Sequence, residues 1–253
     1  MKPRLSVVLA TYNEGNNLKD CLESVRGWCD EIVVVDGSST DKTVEIAKTY
    51  GLKVIITDNP LLFHINKQKA IDAATGAWIL QLDADERVTQ ELRQEIDLAI
   101  KQTVVNGYWL PRKNYFLGRF LMKGGVYPDH TLRLYRRGKG KLPQKDVQEQ
   151  AVVNGRTEYL KSPLLHMADV SLHRYFVRFD RYTSLLASQI KTTEKNGSFI
   201  GLLNYVVVKP IFWFLWTYVR HLGFLDSWQG FLFAFFSAGR FPVAYIKFLK
   251  AKS

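Results

Sequence analysis

Trp78-Ile79-Leu80-Gln81-Leu82-Asp83-Ala84-Asp85-Glu86 is the stretch that decides how this chain is built. Four of its first five residues are apolar, Gly76 precedes them, and a cluster of carboxylates follows. So short an apolar run, bounded in this way, reads as a buried strand rather than a helix. Asp83 and Asp85 then stand at its carboxyl end with one small residue between them. In extended backbone, residues two apart point the same way, so both carboxylates are expected to face one ligand. Two hard oxygen donors suit a divalent cation, Mg2+ or Mn2+, with a phosphate completing the shell. The same residues also describe a strand that simply ends in solvated acids, and the rest of the chain has to separate the two readings.

Upstream, Leu5-Ser6-Val7-Val8-Leu9-Ala10 predicts a first strand, ending in Thr11-Tyr12-Asn13-Glu14-Gly15. Leu18, Cys21, Leu22 and Val25 follow at helical spacing. A second strand, Glu31–Val35, runs into Asp36-Gly37-Ser38-Ser39-Thr40-Asp41, where Ser39 or Thr40 is placed to cap the next helix. A third strand covers Lys53–Thr57, and a helix runs from about Ile65 to Ala74, with Gly76 as its terminal glycine. The quoted stretch is the fourth strand. Strands alternating with helices in this way predict an α/β fold with a parallel, right-handed sheet. Ligands bind such sheets beyond the carboxyl ends of the strands. Glu14, Asp36 and Asp83/Asp85 each follow a strand, and three acidic strand ends on one crevice favour the metal-and-phosphate reading. No G-x-G-x-x-G follows the first strand and no Walker A motif is present, which argues against dinucleotide-binding and P-loop classes.

Downstream, Thr89 is placed to cap a helix through about Ile100. The chain then changes character: Gly107–Pro111 and Thr131–Tyr135 read as strands, and residues 107–145 hold ten Lys/Arg against one acid, Asp129. Such a run is ordinarily a solvated basic face; interleaved with strands, it reads as an acceptor-side wall on a second sheet. Asp146-Val147-Gln148-Glu149 restores carboxylates, a third strand covers Gln150–Val153, and Leu164-Leu165-His166 ends another apolar run. Ser171–Lys195 is amphipathic and helical, with Tyr175, Phe179, Tyr182, Leu185 and Leu186 apolar. Residues 199–253 carry 16 of the chain's 33 aromatics and a single acid, Asp226. Lys209-Pro210, Arg220-His221 and Asp226 interrupt this region before about 18 apolar residues accumulate. Interfacial helices are therefore expected, with Trp213, Trp216 and Trp228 at headgroup level; a kinked span over 199–219 and a subunit interface are the alternatives. Three stretches result: a nucleotide-binding half (1–105), an acceptor-side half (106–170) and a helical, membrane-interfacial region (171–253).

The 253 residues are 47% hydrophobic and 23% charged, which excludes a disordered tail. The net charge of +11 is uneven: residues 1–100 sum to −5 and the remainder to +16. No helix-turn-helix, RNP or zinc spacing accompanies the basic half, so no nucleic acid is expected; an anionic membrane surface or a phosphorylated acceptor is. Cys21 and Cys29 read as reduced, and no signal-type run is seen, so a cytoplasmic location at the inner face of the membrane is expected.

Leu5–Glu14, Ile32–Thr43 and Thr75–Glu86 together resemble the family 2 inverting glycosyltransferases of the GT-A fold. Pro111–Gly118, Gly124–Asp129, Leu132–Arg137 and Leu222–Asp226 with Gly230-Phe231 resemble the bacterial subgroup that adds glucose to lipopolysaccharide inner core. The resemblance implies that Thr11, Tyr12 and Glu14 line the nucleotide pocket and that Asp36 binds uracil or ribose. It places Lys67 near the nucleotide or phosphates and Asp83 at the ribose or the metal's water shell. Asp85 would ligate the metal, and His166 matches a histidine that completes the metal site in some relatives. Glu149 takes the position of the catalytic base, with Asp146 next to it as the alternative; Gln148 stands where the subgroup carries histidine. The implied partners are a nucleotide-sugar donor and a glycolipid or polysaccharide acceptor. A nucleotidyltransferase and a non-catalytic membrane-associated binding module are the competing classes. The first ordinarily carries a Gly/Arg/Lys-rich loop where this chain has Thr11-Tyr12-Asn13-Glu14.

Overall fold

A computed structural model describes residues 4–60, 62–143, 150–190 and 199–252. The chain divides into two compact units, Met1–Arg112 with Asp129–His166, and Lys113–Pro128 with Met167–Ser253. This division runs across the three stretches expected from sequence. Most of 106–170 continues the first unit's sheet, while 113–128 joins the C-terminal helices.

The first unit opens as β1 (Leu5–Thr11), α1 (Gly15–Glu23), β2 (Glu31–Asp36), α2 (Thr43–Thr49), β3 (Lys53–Ile56), α3 (His64–Ala73) and β4 (Trp78–Leu82). β5 (Glu86–Val88) and α4 (Gln90–Ala99) follow, then β6 (Gly107–Phe116), β8 (Asp129–Arg136), β9 (Gly140–Lys141), β10 (Val152–Val153), β11 (Thr157–Tyr159) and β12 (Leu164–Asp169); β6 and β12 run on past Arg112 and His166 into the second unit, which also contains β7 (Arg119–Phe120). The parallel strands lie in the order β3-β2-β1-β4. β8 then joins β4 antiparallel, with Ile79 opposite Tyr135 and Leu80 opposite Leu134, and β6 joins β8. β5 pairs antiparallel with β12, His166 opposite Glu86.

Side chains alternate across this sheet and feed two apolar layers. One layer holds Leu5, Val7, Leu9, Leu80 and Leu82 against Leu18, Cys21 and Leu22 of α1, Ala47 of α2, and Leu92 and Ile96 of α4. The other holds Val8, Val33, Val35 and Ile79 against Ala70 and Ile71 of α3. Thr89 caps α4 as the sequence predicts, accepting from the Leu92 amide at 3.1 Å. Neither Ser39 nor Thr40 caps α2. Asp41 takes that place, accepting the Thr43 amide at 2.9 Å, because the loop is drawn toward β1. Gly76 is not a helix terminator either: α3 ends at Ala73, and a Cβ at Gly76 would lie 2.4 Å from the Ser6 hydroxyl. The glycine admits β1, and its amide donates to that hydroxyl at 2.8 Å.

In the second unit, α5 (Leu172–Gln189) is capped by Ser171 and buries Tyr175, Thr183 and Ala187, whereas Tyr182 faces solvent. The chain is helical from Phe199 through Arg220: α6 (Phe199–Leu203), a π-type stretch Asn204–Val208, α7 (Lys209–Leu215) and a second π-type stretch Trp216–Arg220. The helix continues through Lys209-Pro210, as the kinked alternative over 199–219 allows. The wider turn just before Pro210 accommodates a residue that has no N–H to give the preceding turn. Leu222 adopts φ 58°, and a 3-10 turn (Gly223–Asp226) leads into α8 (Ser227–Lys252). Phe199–Arg220 and Gly223–Ala251 are both long and apolar enough, by length and composition, to cross a membrane.

The corner between them is closely built. Asp226 is buried, and its Oδ2 accepts the amides of Met122 and Lys123 at 2.9 and 2.7 Å. A Cβ at Gly230 would meet the Gly223 carbonyl at 1.9 Å, and one at Gly223 would meet the Thr217 carbonyl at 2.8 Å, so glycine is required at both positions of that motif.

Candidate active site

Thr11 and Asp36 are opposite one another at the carboxyl ends of β1 and β2. The Thr11 hydroxyl donates to Asp36 Oδ2 at 2.7 Å, and Ser39 donates its amide to Oδ1 and its hydroxyl to Oδ2, both at 2.7 Å. Asp36 is wholly buried. Asn13, at φ 54°, turns the chain so that its amide donates to Ser39 Oγ and its side-chain carbonyl accepts the Thr40 amide, each at 2.8 Å. Glu14 accepts from the Asn17 side chain at 2.7 Å, and its amide donates to the Thr43 hydroxyl. Tyr12 remains 45% exposed at the rim. The structure thus brings Thr11, Tyr12, Glu14 and Asp36 onto one laced pair of loops. Asp41 also belongs there, through its bond from the Gly15 amide at 2.9 Å.

Asp83 and Asp85 do not sit in extended backbone. The Glu86 amide donates to the Asp83 carbonyl at 2.9 Å, closing a turn between β4 and β5. The same-side expectation fails for that reason, and the two carboxylates have different neighbours. Asp83 Oδ1 pairs with the ammonium of Lys67, which is buried on α3, and Oδ2 pairs with Arg133 at 2.6 Å. Arg133 also reaches Glu86, wholly buried, at 3.0 Å; Glu86 faces Arg112 at 3.5 Å, and Arg112 holds Asp129 at 2.6 Å. Three cations and three carboxylates alternate along this chain of contacts. Burial alone pushes the Asp83 carboxyl up, but the charges of Arg133 and Lys67 outweigh it and hold the group well below the ordinary carboxylate range. Burial pushes the Lys67 ammonium down, with Asp83 opposing.

Arg133 owes its aim to a bulge. β6 pairs Tyr108 with Leu134 and Trp109 with Leu132, so Arg133 is the extra residue on β8. Continuing the β4–β8 register by one residue sets Arg133 opposite Gln81, two positions before Asp83 and next to the turn that begins there. Sequence reasoning missed Arg133, Glu86 and Arg112 as a network. The first and last were grouped with the basic run, and Glu86 was quoted without a role. The available signal was Leu132-Arg133-Leu134, a lone charge between two core leucines.

Asp85 faces His166, with Oδ2 and Nε2 3.5 Å apart and each side chain about nine-tenths enclosed or nearly so (15% and 13% exposed). The β5–β12 pairing is what joins them, although 80 positions separate them in sequence. An octahedral ion with donors about 2.1 Å away sets neighbouring donors about 3 Å apart, a spacing that a small side-chain rotation reaches from 3.5 Å. A carboxylate oxygen and an imidazole nitrogen therefore fit a divalent cation here. No group of three His, Cys, Asp or Glu side chains able to hold a metal occurs among the described residues. Cys21 does not contribute: burial pushes its thiol up, and it sits under the Asp83 carbonyl at 3.6 Å. Glu149 and Asp146 lie outside the described residues.

A mannosyltransferase from Pyrobaculum calidifontis, solved with GDP-mannose and Mn2+, superposes with a TM-score of 0.59 over 100% of this chain and 89% of its own, at 15% identity. S. aureus TarS 1–349 with UDP-GlcNAc gives 0.52 over 98% and 91%, at 16% identity. These likenesses show the fold, which is the GT-A type that the motifs implied. In sequence, the chain is 30% identical over 251 residues, 93% of its length and 91% of the relative's, to the lipopolysaccharide core biosynthesis glycosyltransferase LpsC of Rhizobium meliloti. The model of glycosyl transferase family 2 matches residues 6–148. With more than half its length matched and a relative aligned almost end to end, the chain belongs to glycosyl transferase family 2.

Proposed function

We propose that this glycosyltransferase moves a hexose, with inversion, from a UDP-sugar such as UDP-glucose to a membrane-held glycolipid of the lipopolysaccharide core type, working at the cytoplasmic face of the membrane. The observation that carries the reading is the Asp85–His166 pair beside the charge-compensated Asp83 turn, at the carboxyl edge where Thr11 and Asp36 also end their strands. LpsC supports the acceptor class, and TarS, solved with UDP-GlcNAc, supports the donor class. The exposed apolar residues of the two C-terminal helices support the location.

Asp85 and His166 would hold the divalent cation, Mg2+ or Mn2+. When bound, that ion supplies electrostatic stabilisation to the departing diphosphate. The loops carrying Thr11, Tyr12, Glu14 and Asp36 seat the nucleoside. The ion pairs to Lys67 and Arg133 fix the Asp83 carboxylate rigidly in its ionised form at the ribose side. Glu149 removes the proton of the acceptor hydroxyl as it attacks from the face opposite the diphosphate, a single displacement that needs one base.

The test is UDP release and product formation from UDP-glucose with Mn2+ and a lipid-linked core acceptor. Glu149→Gln is expected to bind donor normally and lose transfer by about 100-fold; Asp85→Ala is expected to lose both transfer and Mn2+-dependent donor binding. Near-normal turnover by Asp85→Ala would defeat the proposal. Pyrophosphate released from UTP would replace it with nucleotidyl transfer. A dead Asp146→Asn beside an active Glu149→Gln would move the base.

A further inference from the structure

Two cations on the C-terminal helices, Lys209 and Arg240, have no carboxylate partner among the described residues. The Lys209 ammonium lies 3.5 Å from the Tyr205 ring centre and 6.0 Å from that of Phe241. The Arg240 guanidinium lies 4.2 Å from the Trp213 ring centre and 4.9 Å from the same Phe241 ring. Both charges therefore lie within 6.0 Å of the centre of one aromatic ring. The surrounding rings are locked: Tyr205 stacks on Tyr245 at 5.2 Å, and the Trp213 indole donates to Ser237 at 2.9 Å. Among the described residues neither cation makes an ion pair, and Arg240 Nε is buried without any hydrogen-bond partner. Asp226, the single acid of 199–253, is occupied by two backbone amides, and Asp180 on α5 is taken by Lys247 at 2.6 Å.

Aromatic faces offset part of the cost of keeping a cation out of water, but they leave its charge uncompensated. Two such charges on an apolar helix pair call for an anion from outside the chain. A phosphate fits both: guanidinium binds its oxygens in a two-pronged way, and ammonium binds as a point charge. Ile211, Phe212, Leu215 and Phe235, on the same helices, are all more than half exposed. They point to the carrier of that phosphate, because an acyl chain would cover them while the headgroup reached the cations. Both cations are only partly covered and so remain reachable.

We propose that Arg240 and Lys209 form a binding site for the phosphate of an anionic membrane phospholipid, which fixes the C-terminal helices on the bilayer. This rests on the membrane reading of those helices given above. The test is co-sedimentation of the full chain with vesicles of phosphatidylcholine, with and without phosphatidylglycerol. The wild type is expected to bind the phosphatidylglycerol vesicles more tightly. Arg240→Lys keeps the charge but loses the fork, so diffuse attraction predicts no change and the site predicts a loss of about tenfold. Arg240→Gln with Lys209→Gln is expected to lose at least tenfold more than Arg220→Gln with Lys250→Gln, which removes two exposed cations from the same helices. Unchanged binding to phosphatidylcholine vesicles and an unchanged circular-dichroism spectrum would show the variants intact. Equal losses in the two pairs, or full binding by Arg240→Lys, would overturn the site while leaving the membrane reading standing. Displacement by inorganic phosphate at micromolar concentration would make it a free-phosphate site and overturn the lipid assignment. A wild type that binds neither vesicle would overturn the site and the membrane reading together.

Discussion

Replacing Arg133 by Met removes the one side chain that bridges Asp83 and Glu86. The substitution preserves much of the bulk and adds no new polar group. Truncating one partner of a buried ion pair costs about 3–5 kcal/mol when the other is left alone. Here neither carboxylate is left alone, because Asp83 keeps Lys67, and Glu86 keeps the Asp83 amide at 2.9 Å and Arg112 at 3.5 Å. A loss of about 2–3 kcal/mol is the reasonable discount, equivalent to roughly 4–12 °C in the melting temperature of a domain this size. The pH dependence is the more specific readout. Asp83 is held below its ordinary range in the wild type, so its contribution is fully present above the unfolded value and is lost as pH falls through the folded one. Without Arg133 that depression shrinks, and the gap between wild type and variant should narrow as pH drops below about 4. Thermal unfolding by circular dichroism from neutral pH down to about 3 measures both. A difference below about 0.5 kcal/mol at neutral pH, or one that stays constant with pH, would refute this account of the turn.

Two further substitutions probe the frame around it. Gly76→Ala should destabilise by about 1–3 kcal/mol, since its Cβ meets Ser6 backbone and side chain at once; urea midpoints would show it, and a neutral result would mean β1 can shift. Thr11→Val removes one of three donors from the buried Asp36 carboxylate; about 1–3 kcal/mol of stability should go, and UDP binding by calorimetry should weaken with it.

The first four strands were legible because each is a short apolar run bounded by polar turns, and the observed β4 has the bounds that the sequence gives it. The strand-end placement of Thr11, Asp36, Asp83 and Asp85 follows from that alternation alone. Three things were not legible. Alternation cannot be carried past Leu82, because a turn begins at Asp83 and sends the two aspartates to different partners. Gly76 looks like a helix terminator locally, whereas its reason lies 70 positions away at Ser6. Lys209-Pro210 interrupts the apolar run, yet the helix passes through it by a wider turn. In each case the deciding contact is long-range or depends on backbone geometry that a window of neighbours does not contain.

The extra residue on β8 has a consequence for chain length as well as for charge. Leu134 belongs to the layer with α1 and α4, whereas Leu132, two positions earlier, belongs to the layer with α3. The strand changes phase partway along, and each half is in step with a different side of the sheet. Excising Arg133 would make the ladder regular and leave Leu132 and Leu134 on the faces they now occupy, so both apolar layers would keep their residues. A relative one residue shorter at this point should therefore keep the sheet and give up only the guanidinium that reaches Asp83 and Glu86.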